Sequence, residues 1–215
     1  MSQAIAHWRR RLVPFALLGL ALTVSAPALA APAASVMNVF SERFEGGGMP
    51  GWYEMVAHDG VHSGAQPAQL RTEQSIVHSG KWGWRDIGPG GVRFYAYHAL
   101  PAIYGEVKVK AWVYVDQRNR VSVRNNIAKV TTRGTTTIAS GGWHLVELHA
   151  VIGSGDGSFE VSVDGAAVPG LSLTGQKLGV WGFDEIRLGD IAQAPTFDIV
   201  IDDVMVHGSQ PLTGV

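Results

Sequence analysis

Asp198-Ile199-Val200-Ile201-Asp202-Asp203-Val204-Met205-Val206 is β-branched through most of its length and carries two adjacent carboxylates. A strand this apolar belongs inside a sheet, because at an edge it would expose a sticky row of unpaired amides and carbonyls. Its expected neighbour is the first strand of the mature chain, around Val39-Phe40-Ser41-Glu42-Arg43-Phe44-Glu45. Pairing first with last closes the domain.

Between these two stretches the chain reads as short strands. Residues 106–116 alternate cleanly, with Val107, Val109, Ala111, Val113 and Val115 on one face and Lys108, Lys110, Trp112 and Tyr114 on the other. Further strand signals fall at residues 52–56, 75–77, 80–86, 91–100, 121–124, 128–133, 144–152, 158–164 and 184–188, whereas residues 58–69 read as loop. Gly46-Gly47-Gly48-Met49-Pro50-Gly51 is a loop by composition, and Asp164-Gly165 and Gly141-Gly142 are turn dipeptides at strand ends. No window carries helical periodicity with caps. Many short strands, Gly-rich turns and no crossover helices predict an all-β, two-sheet antiparallel jelly-roll sandwich.

Residues 1–30 have the three parts of a secretory signal: Arg9, Arg10 and Arg11, an apolar run over 12–24, and Ala28-Leu29-Ala30 as a cleavage site. The run of 13 residues falls short of the roughly 20 that span a bilayer. The expected organisation is a signal peptide at 1–30, a small-residue linker at 31–38, the sandwich at 39–207 and a tail at 208–215. The expected location is outside the cytoplasmic membrane, secreted or periplasmic. There is no cysteine, so neither a disulfide nor a lipidated cysteine contributes. The leader holds three of the 17 Lys+Arg and none of the 18 Asp+Glu, so the mature charge is 14 − 18 = −4. That balance argues against nucleic acid or an anionic membrane as the main partner.

A series of short motifs runs along the chain in order. Phe44-Glu45-Gly46 with Trp52 comes first, then His78-Ser79-Gly80-Lys81, then Gly142-Trp143-His144-Leu145-Val146-Glu147-Leu148. Phe159-Glu160-Val161-Ser162-Val163-Asp164-Gly165, Asp184-Glu185-Ile186-Arg187-Leu188-Gly189 and Ile201-Asp202-Asp203-Val204 complete it. In this order they resemble the concanavalin A-like lectin/glucanase superfamily in its laminin-G-like, secreted bacterial form. The resemblance spans residues 39–206. It implies two curved antiparallel sheets, often a structural calcium ion, and frequently carbohydrate recognition; other members are adhesion or protein-binding modules.

Three groups of residues are candidates for chemistry. Pairing first and last strands would bring Glu45 together with Asp202 and Asp203, hard oxygen donors that suit a structural Ca²⁺. Strand alternation sends the two aspartates to opposite faces, so one of them at most serves as an inward ligand. The alternative is that Glu45 caps a turn while one aspartate accepts backbone amides. The second group is the outward row Lys108, Lys110, Trp112 and Tyr114, bordered by Arg124 and His149. Aromatic faces stack on sugar rings and cations bond hydroxyls or uronates, so this row would bind a glycan, the lysines favouring an acidic one. The alternative is a solvated face with cross-strand charge pairs. The third group is the remaining aromatics: the resemblance implies that Trp84, Trp52 and Trp143 are core, Trp143 also reading so from its place after Gly-Gly; Arg93, Tyr95 and Tyr97 share a face, and Trp181 in a Gly-rich loop is a candidate ligand platform.

Catalytic sets are incomplete. Asp184-Glu185-Ile186-Arg187 lacks the paired acids on one strand face that a retaining glucanase needs. Arg124, His149, Tyr114 and Lys110 supply the residue types of a polysaccharide lyase, but without the lyase motifs. There is no nucleophile elbow or phosphate loop, and the histidines lack metal-ligand spacing. The expectation is a secreted, non-catalytic module binding a polysaccharide, with a lyase or glycoside hydrolase, or a cell-surface adhesion module, as alternatives.

Overall fold

The computed structural model describes residues 36–57, 69–88, 93–115, 119–125, 130–153, 156–178, 182–190 and 197–212. The expected signal peptide, most of the linker and Trp181 lie outside these residues. The strands are β1 (Met37–Glu42), β2 (Trp52–Ala57), β3 (Gln69–Glu73), β4 (Gly83–Gly88), β5 (Arg93–Tyr104), β6 (Glu106–Val115) and β7 (Asn119–Asn125). They continue with β8 (Val130–Ile138), β9 (Trp143–Val151), β10 (Gly157–Val163), β11 (Ala166–Ala167), β12 (Leu173–Gln176), β13 (Phe183–Asp190) and β14 (Phe197–Gly208). No helix occurs among the described residues, and so none there is long and apolar enough to cross a membrane.

The closing strand lies inside its sheet. β14 pairs with β6 along one side and with β4 and then β1 along the other, in a sheet ordered β11-β10-β9-β6-β14-β4-β3. First and last strands do pair, Met37 opposite Gly208 and Glu42 opposite Val204. The second sheet is ordered β13-β5-β2, and β7 pairs with β8 as a hairpin. All the pairings are antiparallel, as expected of a chain whose strands are joined by turns rather than helices.

The two sheets bury one face of each against the other. Val107, Val109, Ala111 and Val115 of β6 are buried, as the alternation predicts, beside Ile201, Val204 and Val206 of β14 and Phe159 and Val161 of β10. From the second sheet come Trp52, Ala96, Leu100 and Ile186. Trp84 and Phe44 are fully buried and pack around Trp52, with Trp52 and Trp84 centroids 5.5 Å apart. Trp143 departs from its expected core position. It stands opposite Tyr114, on the outer face, because β9 puts Val146, Leu148 and Ala150 inward.

The apolar run 75–77 forms no strand. Its neighbouring amides are claimed by side chains: Glu73 Oε1 accepts from the amides of Gln74 and Ser75 and from the Ser75 hydroxyl. Competition of this kind diverts a chain from a sheet ladder. The strand lies just before it, at Gln69–Glu73, of which only Gln69 falls in the stretch read as loop.

Candidate functional site

Four carboxylates fasten the 74–82 loop to the sheet. After Glu73, Asp202 Oδ2 accepts from the amides of His78 and Ser79 at 2.9 and 3.1 Å, and Asp202 Oδ1 accepts from Asp203 N. Asp203 reaches the same loop, with Oδ2 2.7 Å from His78 Nδ1 and Oδ1 accepting from Ser79 Oγ. Glu45 accepts from the amides of Lys81 and Trp82. Gly80, at φ +65°, lies so close that a Cβ there would collide with the Glu45 carboxylate. Asp202 is fully buried, and burial pushes its carboxyl above the usual aspartate range despite the three amides it accepts.

The expectation that Asp202 and Asp203 diverge is corrected by a bulge. Asp203 sits at φ +47°, and the β6–β14 register shifts between Asp202 and Met205. The extra residue breaks strict alternation, and aspartate tolerates the left-handed conformation better than most residues. Both carboxylates therefore meet one loop. In this arrangement the oxygens a calcium ion would need already accept amide or hydroxyl protons, or face His78. Among the described residues no group of three His, Asp or Glu side chains is placed to hold a metal. The donor set, as arranged, does not fit Ca²⁺.

Lys108, Lys110, Trp112 and Tyr114 do share the outer face of β6, with His149 opposite Lys108 and Glu147 opposite Lys110. Lys110, Trp112 and Tyr114 of the row, and His149 beside it, are engaged within the protein. Lys110 pairs with Glu147, holding its carboxyl below the usual range, and His149 Nε2 lies 2.8 Å from Glu106 Oε1. One face of Trp112 is covered: the His78 ring stacks on it with centroids 4.0 Å apart and planes 14° apart. Tyr114 packs edge-on against Trp143 at 5.7 Å. A depression of about 310 Å³ remains over Lys108, Lys110, Glu147, His149, Glu160 and Ser162. Arg124 lies on β7 opposite Thr131, where the backbone alone is described.

The residue types expected of a lyase do not converge. His149 aligns with Lys108 and Tyr114 stands six residues further along β6, roughly 20 Å away at about 3.3 Å per residue. One sugar cannot touch both.

A different set does come together, on the outer face of the second sheet. Tyr53, Tyr97 and Arg187 stand in one row across β2, β5 and β13, because Tyr53 pairs with Tyr97 and Tyr97 with Arg187. The Tyr53 and Tyr97 rings stack at 5.3 Å and 26°, and Tyr53 is 57% exposed. Tyr95, two residues along β5 on the same face, lies under Arg187, whose Cζ is 5.2 Å from the ring centroid. Arg187 is tied down by Glu185, which accepts from both Nε and Nη2 on the single oxygen Oε1. Tyr95 and Tyr97 were legible as sharing a face. Tyr53 and Arg187 join them only through register, for which no local signal exists.

No protein-family model matches the chain, and no curated protein matches it. Solved structures do. The cellulose-induced protein Cip1 is similar at a TM-score of 0.58 and 15% identity, over 78% of this chain and 96% of that one. The two share a fold, the all-β antiparallel sandwich. Domain 4 of AbnA, a GH43 extracellular arabinanase from Geobacillus stearothermophilus in complex with arabinotriose, is similar at 0.49 and 12% identity, over 82% of this chain and 95% of that one. A family 11 carbohydrate-binding module from Clostridium thermocellum, in complex with a β-1,3-1,4-mixed-linked tetrasaccharide, is similar at 0.44 and 14% identity, over 83% and 100%. At such identities the likeness concerns the fold.

Proposed function

We propose that the protein is an exported, non-catalytic carbohydrate-binding module whose ligand rests on the Tyr53–Tyr97–Arg187 face. The observation that carries this reading is the exposed, stacked tyrosine pair beside an anchored guanidinium. The open face of Tyr53 takes the C–H face of a pyranose, and the polar groups alongside meet its hydroxyls. Both tyrosines project from strands, so the platform is preorganised and little ordering entropy opposes binding.

A second reading keeps the ligand on the opposite sheet, over Lys108, Lys110 and His149, and the depression there favours it. Calorimetric titration of glucan, xylan and arabinan oligosaccharides separates the two. The platform reading expects Tyr53→Ala to lose roughly tenfold or more in affinity, with Lys108→Ala unchanged. Loss in Lys108→Ala and none in Tyr53→Ala moves the site to the lysine row. Capture of a protein partner with no glycan binding supports the adhesion reading, and turnover of any polysaccharide overturns the non-catalytic one.

A further inference from the structure

Resting on the platform reading, we infer that this face selects neutral glycans and rejects uronate-containing ones, and that the Glu185–Arg187 pair is what discriminates. The lysine row of β6 points the other way, toward an acidic chain. On the tyrosine face the charge arrangement is different.

Arg187 is the cation that the described side chains bring to this face, and Glu185 balances its charge. Two of its nitrogens are spent on Glu185 Oε1, and its Cζ lies over the Tyr95 ring. Arginine recognises a carboxylate through a two-nitrogen fork. Here the side-on fork of Nε and Nη2 is already filled by a carboxylate from the protein's own strand. A uronate taking the remaining end-on donors would set a second carboxylate beside Glu185 on one guanidinium whose charge is already balanced. Like charges so placed act against the wrong ligand.

What the pair still offers suits hydroxyls. Among the described residues, Arg187 Nη1 has no acceptor and Glu185 Oε2 has no donor. A sugar hydroxyl both donates and accepts, so two adjacent hydroxyls can take one bond from Nη1 and give one to Oε2. Glu185 and Arg187 are two apart on β13 and point to the same face. Arg187 aligns with Tyr97, and so through it with Tyr53. A pyranose seated on Tyr53 and Tyr97 therefore presents its hydroxyl edge to the pair.

The test is calorimetric titration of the purified protein with cellohexaose, xylohexaose and hexagalacturonate, in wild type, Tyr53→Ala and Glu185→Gln. The expected result is that a neutral hexamer binds, hexagalacturonate binds about tenfold or more weakly, and Tyr53→Ala removes the neutral binding. Glu185→Gln, which keeps the shape and unmasks the guanidinium, narrows or reverses that ratio. Hexagalacturonate binding wild type as tightly as the neutral hexamers, with both lost in Tyr53→Ala, overturns the selectivity and leaves the platform standing. An unaltered ratio in Glu185→Gln overturns the role of the pair. Binding that Tyr53→Ala does not affect, or none by any hexamer, overturns the platform itself and the inference with it.

Discussion

His78 lies face to face with Trp112, ring centroids 4.0 Å apart, while its Nδ1 meets Asp203 Oδ2 at 2.7 Å. One histidine therefore joins the 74–82 loop to β6 through a ring and to β14 through a carboxylate. This makes Trp112 part of the packing and removes one of its faces from any ligand. Trp112→Ala is expected to destabilise the fold by roughly 1–3 kcal/mol, from lost area and the lost ring pair, while glycan affinity stays within about twofold. Urea denaturation and titration on the same variant check both halves.

How far the fold was readable follows from which patterns are local. Period-two alternation assigned the faces of β6 residue by residue, and the apolar closing strand demanded two flanking neighbours, which β6 and β4 with β1 supply. Asp202 and Asp203 defeated the same rule, because alternation holds only for extended backbone and Asp203 has a positive φ. Trp112 was legible as outward. The loop that covers it comes from residues far away in the chain, held by carboxylates whose partners no spacing reveals. The tyrosine platform was half legible for a similar reason. Tyr95 and Tyr97 sit on one strand, whereas Tyr53 and Arg187 arrive through the registers of two others.

Calcium dependence is decided by the same carboxylates. Since Asp202 accepts three amides and Glu45 two, EDTA is expected to leave the melting temperature unchanged. Asp202→Ala would strand buried amides without an acceptor and cost about 3 kcal/mol or more. A melting temperature that falls on chelation and recovers with added Ca²⁺ would show that the oxygens rearrange around an ion.

Acid sensitivity is expected from Glu73. The Ser75 hydroxyl, with the Ser75 and Gln74 amides and Arg85, holds its pKa down from 4.5 to about 2 against the opposing effect of burial. A depressed carboxyl contributes stability that is complete above its unfolded value and is lost as pH falls through the folded one. The window is therefore between about pH 4.5 and 2, and the amount about 3 kcal/mol. Buried Asp202 shifts in the opposite direction, so the absolute profile mixes the two. The difference between wild type and Ser75→Ala isolates Glu73: the variant is less stable at pH 6, and the gap closes toward pH 2. A gap independent of pH would assign the serine a purely uncharged role.

Export is tested by the N-terminus. Arg9 to Arg11, the apolar run and Ala28-Leu29-Ala30 predict cleavage after Ala30. Mass spectrometry of protein recovered from the periplasm or medium should give a chain beginning at Ala31. A chain retaining Met1 in those fractions would overturn the leader.

The lysine row supplies the last prediction, because it separates charge that holds a fold from charge that meets a ligand. Lys110 and Glu147 form a cross-strand pair, with Ser162 donating a hydrogen bond to Glu147 from the next strand. Both charged side chains remain partly exposed, at 38% and 28%, so solvent screens the pair and its worth is about 1 kcal/mol or less. Lys110→Met keeps the stem that lies along the sheet and removes the charge. It should lower stability by that small amount at low salt, and the loss should shrink at high salt as the pair is screened in wild type as well. Glu147→Gln should behave alike, and the double variant should lose less than the sum of the two, since each single change removes the same attraction. If the lysine instead served an acidic glycan, Lys110→Met would weaken binding while Glu147→Gln, which frees the amine, would strengthen it. Opposite signs in binding, against equal signs in stability, distinguish the two roles on one pair of residues.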